Sequence, residues 1–572
     1  MHTKKYSVRK KQTKKKLNEI DSIIQYRKYF TKILQGKTKY SFNINNLEIL
    51  EKQYNQFAHR LGKFWKYCQN KENNSKYTNK LINYYTQFKK YKDNVYIKEN
   101  EELSKSEVDF YDLVKIDNHV HLSALITTKE LKEYMEKEQK SKKGEKITVF
   151  KMNTIIDQKN IHSENSCKDR YDFNDFNEKY FIGKKGEKDR INNLRQCFLK
   201  VNSGKNKLQR INTSKSEYNI HNMGKFNCRK SHYANITKII SKLRKEKNTH
   251  LDLRISLYGK SENELTDISN WFVKNNLHLL DNIDWYVQIP RIPHMVLRDK
   301  FNETENKFSV LILMYKNIFN SIKKAYKTND TNILMFLNKL KGFDSVDNED
   351  EYNIKYYNDP ETKIDNNKIK EQLKSKRNPF TYAMYLYFLW YFVSDLNQFI
   401  KNKRNIFFLK PHCGELGPLH HLLTAYLLTH SICHGINLID SETSKIHDPL
   451  KILKKNKNNV LLYLYCKSKV GCAISPISNN YLTRSYECLH LDLLFNLGLK
   501  LSINTDDPLM FHLTDDPLME DIIMVKNLYL FSLTDIIELI NNSYYINGNF
   551  LPKIKLKKRD INRKLCFNKH YK

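Results

Sequence analysis

The feature that most constrains the fold is a series of eight short apolar segments, each followed by a helical or polar stretch. They are Leu113 to Val120, Leu253 to Tyr258, Trp285 to Ile289, Gly342 to Asp344, Ile406 to Pro411, Ile432 to Cys433, Gly471 to Ser475 and Leu501 to Asn504. Short apolar runs separated by helix-length intervals specify parallel strands joined by crossovers. Eight of them predict an α/β chain folded as a (β/α)8 TIM-type barrel. The fourth and sixth are too short to be assigned by periodicity alone, so their place rests on the motifs around them. With 572 residues the chain has room for more than a barrel. Residues 1–16 carry Lys4, Lys5, Arg9, Lys10, Lys11, Lys14, Lys15 and Lys16 without apolar periodicity, which predicts a disordered basic tail. Residues 17–105 read as a helical N-terminal region, with Leu47, Leu50, Tyr54, Phe57 and Leu61 three or four apart. The barrel is expected over 106–545, with polar insertions near 202–230 and 348–376, and a second basic tail over 546–572. No fixed-period repeat is visible, which excludes solenoids and propellers.

Charge invites a different reading. A net charge of +36 is the footprint expected of a nucleic-acid binder. Here, however, lysine is scattered with asparagine, tyrosine and isoleucine through nearly every segment, which is residue usage rather than a patterned binding face. Nucleic acid is therefore not the expected partner, although the field would still draw in a phosphate. The longest apolar run, Tyr382 to Val393, is too short to span a bilayer, and no apolar stretch follows the basic start as a secretory signal would require. Ten cysteines without a C-x-x-C pair fit a reduced compartment, so a cytoplasmic protein without a membrane segment is expected.

The strand ends carry the chemistry. The first ends in K-I-D-N-H-V-H-L, placing His119 and His121 on the same side of an extended chain. A lone H-x-H among 19 histidines carries little weight, but active sites of such barrels are built at the carboxyl ends of the strands. The fifth ends in P-H-C-G-E, offering His412 as a third nitrogen and Glu415 as a carboxyl beside the metal. The sixth runs into C-H-G with His434, and the eighth into T-D-D-P with Asp506 and Asp507. Adjacent carboxylates on an extended backbone face opposite ways, so one can bind metal while the other contacts substrate. Each residue alone has a structural explanation, such as a helix cap or a satisfied barrel histidine. Together they predict His119, His121, His412 and Asp506 as ligands, and imidazole with carboxylate suits zinc, though iron or cobalt could occupy the same set.

These segments, with R-I-S-L-Y-G, W-Y-V-Q-I-P-R-I, G-F-D-S-V-D, C-H-G-I-N-L, A-I-S-P-I-S-N-N and S-I-N-T-D-D-P-L-M-F-H-L-T, resemble in order the motifs of the AMP deaminase family. The resemblance covers roughly Tyr29 to Ser543, broken by the insertions. It implies a barrel of the metal-dependent hydrolase kind, one zinc ion per chain, AMP as substrate, and a homo-oligomer, a tetramer as in family members. It further implies His434 as catalytic base, Glu415 as proton donor to the ring nitrogen and Asp507 as a partner of the purine. Substrate contacts are expected from His121, Glu415, Asp507, Pro508, Leu509 and Met510, and from Asp175, Phe176, Asn177, Glu178, Lys179 and Tyr180.

Two departures bear on specificity. The family's K-F-N-x-K-Y has Asp175 at its first lysine, and the glutamine usual after T-D-D-P-L is Met510, which cannot reproduce that amide's hydrogen bonds. Arg254 and Arg291 could reach a phosphate or serve as ion-pair partners at the barrel end. His420, His421 and His430 are given no role. Alternatives left open are an adenosine deaminase-like enzyme and an inactive barrel that binds nucleic acid or a partner.

Overall fold

The computed structural model of the chain describes residues 18–104, 109–127, 129–131, 133–134, 232–347, 349, 359–374, 378–402, 405–443 and 446–548. The basic tail of 1–16, the insertion near 202–230, the segment Asp175 to Tyr180 and the chain beyond 548 lie outside the described residues.

Among the described residues nine strands form in chain order: β1 Lys115–His121, β2 Thr249–Ser256, β3 Ile283–Pro290, β4 Leu340–Val346, β5 Phe408–Leu409, β6 His412–Cys413, β7 Ser431–His434, β8 Gly471–Ile474 and β9 Lys500–Ile503. They run β1-β2-β3-β4-β5 in one sheet and β6-β7-β8-β9 in the other, every pair parallel. Two features make this one closed barrel of eight. β5 and β6 are halves of a single strand, parted at Pro411, which has no N–H to give to a ladder. The backbone bonds Lys410 N to Phe343 O and Cys433 N to Pro411 O, both 2.9 Å, carry the pairing across the break. At the seam Val120 bridges Asp506, with His121 N on Asp506 O at 2.9 Å and Asp506 N on His119 O at 2.8 Å. The chain is thus a (β/α)8 barrel, as its eight apolar segments predict.

Two strand expectations need correction. The fifth strand does not run unbroken to Pro411, for the reason just given. The fourth is seven residues, not three, because Leu340 follows the helix Thr331–Lys339 without a loop to mark its start. The strands are covered on both faces, and Leu251, Leu253, Trp285, Val287, Phe343, Ile432, Cys472 and Leu501 are buried between barrel and helices. All six described cysteines are unpaired thiols.

The N-terminal region forms three helices, α1 Glu19–Leu34, α2 Leu47–Gln69 and α3 Lys71–Ser104. Asn18 and Asn46 cap the first two by accepting from Asp21 N and Ile49 N. These helices share a core with the barrel. Phe30 meets Trp390 at 4.6 Å between ring centroids, Tyr54 meets Tyr387 at 5.5 Å and Tyr77 meets Tyr463 at 4.6 Å. This explains the longest apolar run: the helix Tyr382–Ile400 is apolar on every side because barrel and N-terminal helices both pack on it. No described helix is long and apolar enough to cross a membrane. The polar stretch expected near 348–376 is not wholly peripheral, since it includes the helix Asn366–Lys374, buries Ile364 and Ile369, and offers Thr362 O to Tyr54 Oη at 3.2 Å.

Candidate active site

At the carboxyl end of the barrel four atoms converge from three strand ends. His119 Nε2 lies 3.2 Å from His121 Nε2, 3.0 Å from His412 Nε2 and 3.2 Å from Asp506 Oδ1. His121 Nε2 lies 3.2 Å from both His412 Nε2 and Asp506 Oδ1. The outer nitrogens show which atoms are lone pairs. His121 Nδ1 is 2.7 Å from Gln288 Oε1, which can only accept, so that nitrogen carries the proton. His412 Nδ1 is 3.0 Å from the Asp344 carboxylate and carries its proton for the same reason. In the neutral rings His121 Nε2 and His412 Nε2 therefore face each other as acceptors across 3.2 Å. Edges of 3.0–3.2 Å correspond, in a regular tetrahedron, to about 1.9 Å from centre to corner, close to the ~2.0 Å zinc–nitrogen distance. The residues fit a four-coordinate metal ion.

Neighbouring carboxylates tune this cluster. Asp344 is buried, accepts from Arg254 Nε at 2.8 Å as well as from His412, and is held far below the usual carboxylate range because those two partners outweigh the opposing effect of burial. Burial, the largest influence on His121, pushes it down, but Asp507 and Asp506 outweigh it and hold the imidazole up at about 9. Metal binding at Nε2 would displace that proton. Burial also lowers His119, His412, the latter to about 4, and His434. Asp506 Oδ2 accepts from Ser478 Oγ at 2.8 Å, which leaves Oδ1 to the cluster.

A second group stands beside the four. His434 Nε2 lies 3.6 Å from Glu415 Oε2 and makes no hydrogen bond, while its ring is 4.8 Å from that of His119. Asn479 Nδ2 reaches Glu415 Oε1 at 3.0 Å and His434 Nδ1 at 3.2 Å. Backbone strain aims these groups: His434 has φ +66° and Asp506 φ +65°, conformations that residues with a Cβ rarely adopt. Gly435 follows His434 at φ +92°, where a Cβ would stand 2.9 Å from Ile432 Cδ1, so the turn that presents His434 requires glycine.

The predicted residues therefore separate into three groups. His119, His121, His412 and Asp506 meet in one cluster, and Glu415 and His434 lie beside it. His434 is near enough to belong to a wider set with His119, His412 and Asp506 within 4.8 Å, but the 3.0–3.2 Å contacts run among the other four. Asp507 follows on the rim, within 4.8 Å of His121 and Asp506, and Pro508, Leu509 and Met510 form the short helix Pro508–Phe511 after it. Asp175 to Tyr180 lie outside the described residues, so their placement stays an expectation. Arg254 and Arg291 are buried; Arg254 pairs with Asp344, and Arg291 donates to Ser345 O at 2.8 Å and Asp347 O at 2.6 Å. Both serve the barrel interior. His420 and His421 open the helix His420–Leu428 and His430 follows it, and His421 stacks at 4.2 Å on Tyr382, whose hydroxyl donates to His412 O at 2.9 Å.

Sequence reading missed the supporting residues Asp344, Gln288, Ser478, Asn479 and Glu349. Glu349 is buried and accepts from Gly414 N at 3.0 Å and Leu416 N at 3.2 Å, fastening the loop that carries Glu415. The signal for Asp344, Gln288 and Asn479 was present, since G-F-D-S-V-D, V-Q-I-P and S-P-I-S-N-N put polar residues at strand ends. Nothing in the spacing tied each to a particular histidine.

Fold and site together define a class, the (β/α)8 barrels of the metal-dependent hydrolase kind, with donors at the carboxyl ends of the strands. The comparisons narrow it. The AMP deaminase family model matches residues 4–563, and the chain belongs to the AMP deaminase family. AMP deaminase of Saccharomyces cerevisiae is 32% identical over 463 residues, covering 77% of this chain and 49% of the yeast protein. AMP deaminase of Dictyostelium discoideum is 30% identical over 461 residues, 77% and 50% of the two chains, and AMP deaminase 1 of Homo sapiens 30% over 458 residues, 76% and 53%. The chain spans about half the length of the curated relatives it matches. Among solved structures, the N6-methyl-AMP deaminase from Arabidopsis thaliana aligns at 12% identity and a TM-score of 0.39, over 80% of this chain and 97% of that one; the barrel assignment rests instead on the strand order above.

Proposed function

We propose that this chain catalyses the zinc-dependent hydrolytic deamination of AMP to IMP and ammonia, in purine nucleotide interconversion. The observation that carries the reading is the meeting of three imidazole nitrogens and one carboxylate oxygen, with Glu415 and His434 side by side next to them. His119, His121, His412 and Asp506 would hold one zinc ion per chain. Bound there, zinc supplies the Lewis acidity that brings the pKa of water from 15.7 to about 7.

The chain's own groups divide the remaining work. His434, kept neutral by burial, takes the proton of the attacking water at Nε2. Glu415 delivers a proton to the ring nitrogen next to the carbon under attack, and Asp507 hydrogen-bonds the imidazole part of the purine, whose N7 offers a lone pair and carries no hydrogen. Asn479 can serve both steps. With its amide oxygen towards them, it accepts from His434 Nδ1–H and from protonated Glu415, the starting states the reaction needs. With its amide nitrogen towards them, it donates to ionised Glu415, while His434, having taken a proton at Nε2, keeps Nδ1–H and has no lone pair there to receive a hydrogen bond. Lys179 and Tyr180 are the proposed phosphate partners, and Asp175 and Met510 bear on how strongly AMP is preferred to adenosine. The reading includes a cytoplasmic, homotetrameric enzyme.

The test is ammonia release from AMP and adenosine, side by side, before and after chelation. Turnover of AMP alone, lost on chelation and regained with about one zinc per chain, is the expected result. Equal rates on adenosine would make it a deaminase without phosphate selection, and no turnover with zinc bound would refute the reading.

A further inference from the structure

Outside the donor cluster lies a buried pair that the proposed steps do not use. His512 Nε2 stands 2.6 Å from Asp521 Oδ2, and both side chains are buried. Taking such a pair out of water is costly, and apolar residues of similar volume often replace it with no loss of stability. Stability alone therefore gives little reason for these two residues. Their contacts give a better one.

Asp521 belongs to the helix Pro517–Leu528, and its two oxygens serve two other elements. While Oδ2 holds His512, Oδ1 accepts from Ile477 N at 2.9 Å. Ile477 is the second residue of the helix Pro476–Leu482. Pro476 has no N–H and Ser475 makes no side-chain cap bond, so Asp521 caps this helix from outside. The two residues after Ile477 both reach the site. Ser478 Oγ is 2.8 Å from Asp506 Oδ2, and Asn479 Nδ2 is 3.0 Å from Glu415 Oε1 and 3.2 Å from His434 Nδ1.

His512 ends the short helix Pro508–Phe511 that follows Asp507, its N on Pro508 O at 3.0 Å. Its Nδ1 has no hydrogen-bond partner among the described residues, so the ring is held there through Asp521. One carboxylate thus ties together the segments that leave β8 and β9.

We infer that Asp521 and His512 are positioning residues of the centre. Asp521 sets the helix from which Ser478 orients Asp506 and Asn479 meets Glu415 and His434, and His512 fixes that helix to the segment after Asp507. The kinetic part of this inference rests on the deaminase reading; the part that concerns the metal ligands does not.

Four variants of the full chain, loaded with zinc for kinetics and with cobalt(II) for spectra, test it. Asp521→Ala breaks the link, and so does His512→Leu with Asp521→Leu, which strands no charge. Asp521→Asn keeps an acceptor for Ile477 N. Phe30→Ala removes packing from the α1 core instead, and serves as the control for lost stability. In folded protein, both link-breaking variants should shift the visible d–d band of cobalt, which follows ligand geometry. They should also lower kcat on AMP about 10–100-fold with KM changed less than about threefold. Asp521→Asn should keep the parent band and a kcat within about threefold of the parent, and Phe30→Ala should keep both.

A parent band and parent kcat in either link-breaking variant would overturn the inference, as would an Asp521→Asn variant no better than Asp521→Ala. Equal losses in Phe30→Ala would overturn it too, by reducing the pair to general stability. A parent chain inactive on AMP would refute the deaminase reading instead, and the cobalt band would then decide alone.

Discussion

Asp344 holds His412 through a bond of 3.0 Å to Nδ1, and so decides that Nε2, the nitrogen pointing into the donor cluster, is the one without a proton. The same carboxylate closes a buried ion pair with Arg254 at 2.8 Å. Gln288 does the corresponding work for His121, from a neutral amide.

That difference gives the first prediction. Gln288→Leu frees His121 to turn or change tautomer, and should weaken zinc retention about 10–100-fold with little loss of stability. Asp344→Asn should weaken zinc retention as much and also lower the melting temperature, because Arg254 is left buried without its countercharge, at a cost of roughly 3–5 kcal/mol. Zinc content after dialysis against graded chelator, with melting curves of both variants, checks this. Unchanged zinc retention in both would remove the outer partners from the account of the site.

Asn479 gives the second. If its amide serves both Glu415 and His434, Asn479→Ala should lower kcat by about 10–100-fold while changing KM for AMP far less. Asn479→Asp puts a carboxylate beside Glu415, disfavours its ionisation and should move the alkaline limb of the pH–rate profile upward. A KM rise alone, with both limbs in place, would make Asn479 a packing residue.

How far the site could be read beforehand follows from the kinds of signal involved. The ligands were legible because H-x-H, H-C-G-E and T-D-D-P place chemistry at strand ends, where the barrel gathers it whatever the loops do. Asp506 and Asp507 were expected to divide their roles because an extended backbone alternates its side chains, whereas Asp506 stands in the left-handed region at φ +65°. The supporting shell was not legible: Gln288 meets His121 only because β3 lies two strands from β1, and Asn479 reaches Glu415 only through the helix Pro476–Leu482 after β8. Such contacts depend on register, which residue types do not encode. Pro411 similarly hid the break in the fifth strand, since one apolar run continues through it.

The shared aromatic core makes a third prediction, about unfolding. Phe30 stands between Trp390, Phe57 and Tyr26, so α1 and the barrel helix Tyr382–Ile400 are joined by interior contacts rather than a surface interface. Phe30→Ala should destabilise the chain by about 3–5 kcal/mol and shift one cooperative transition as a whole. Separate transitions for the N-terminal helices and the barrel, with only the first displaced, would show that the two fold independently.

Glu349 supplies the last prediction, and it concerns pH. Burial, with a smaller contribution from nearby Glu415 and against the pull of Arg291, raises Glu349 to about 8. In the unfolded chain a glutamate titrates near 4.3. Between about pH 4.3 and 8 the unfolded chain has released this proton while the folded chain still holds it, so the folded state binds more protons and stability falls as pH rises, by up to about 1.4 kcal/mol per pH unit. The contribution is fully present below the unfolded value and is lost as pH rises through the folded one. Glu349→Gln keeps an acceptor for Gly414 and Leu416 but does not titrate. Its melting temperature, measured against the parent chain at pH 5, 6.5 and 8.5, should therefore gain steadily on the parent as pH rises, by about 2 °C or more per kcal/mol. A difference that stays flat across that range would mean Glu349 is already ionised in the folded chain, held so by Arg291 and the two backbone donors of the Glu415 loop.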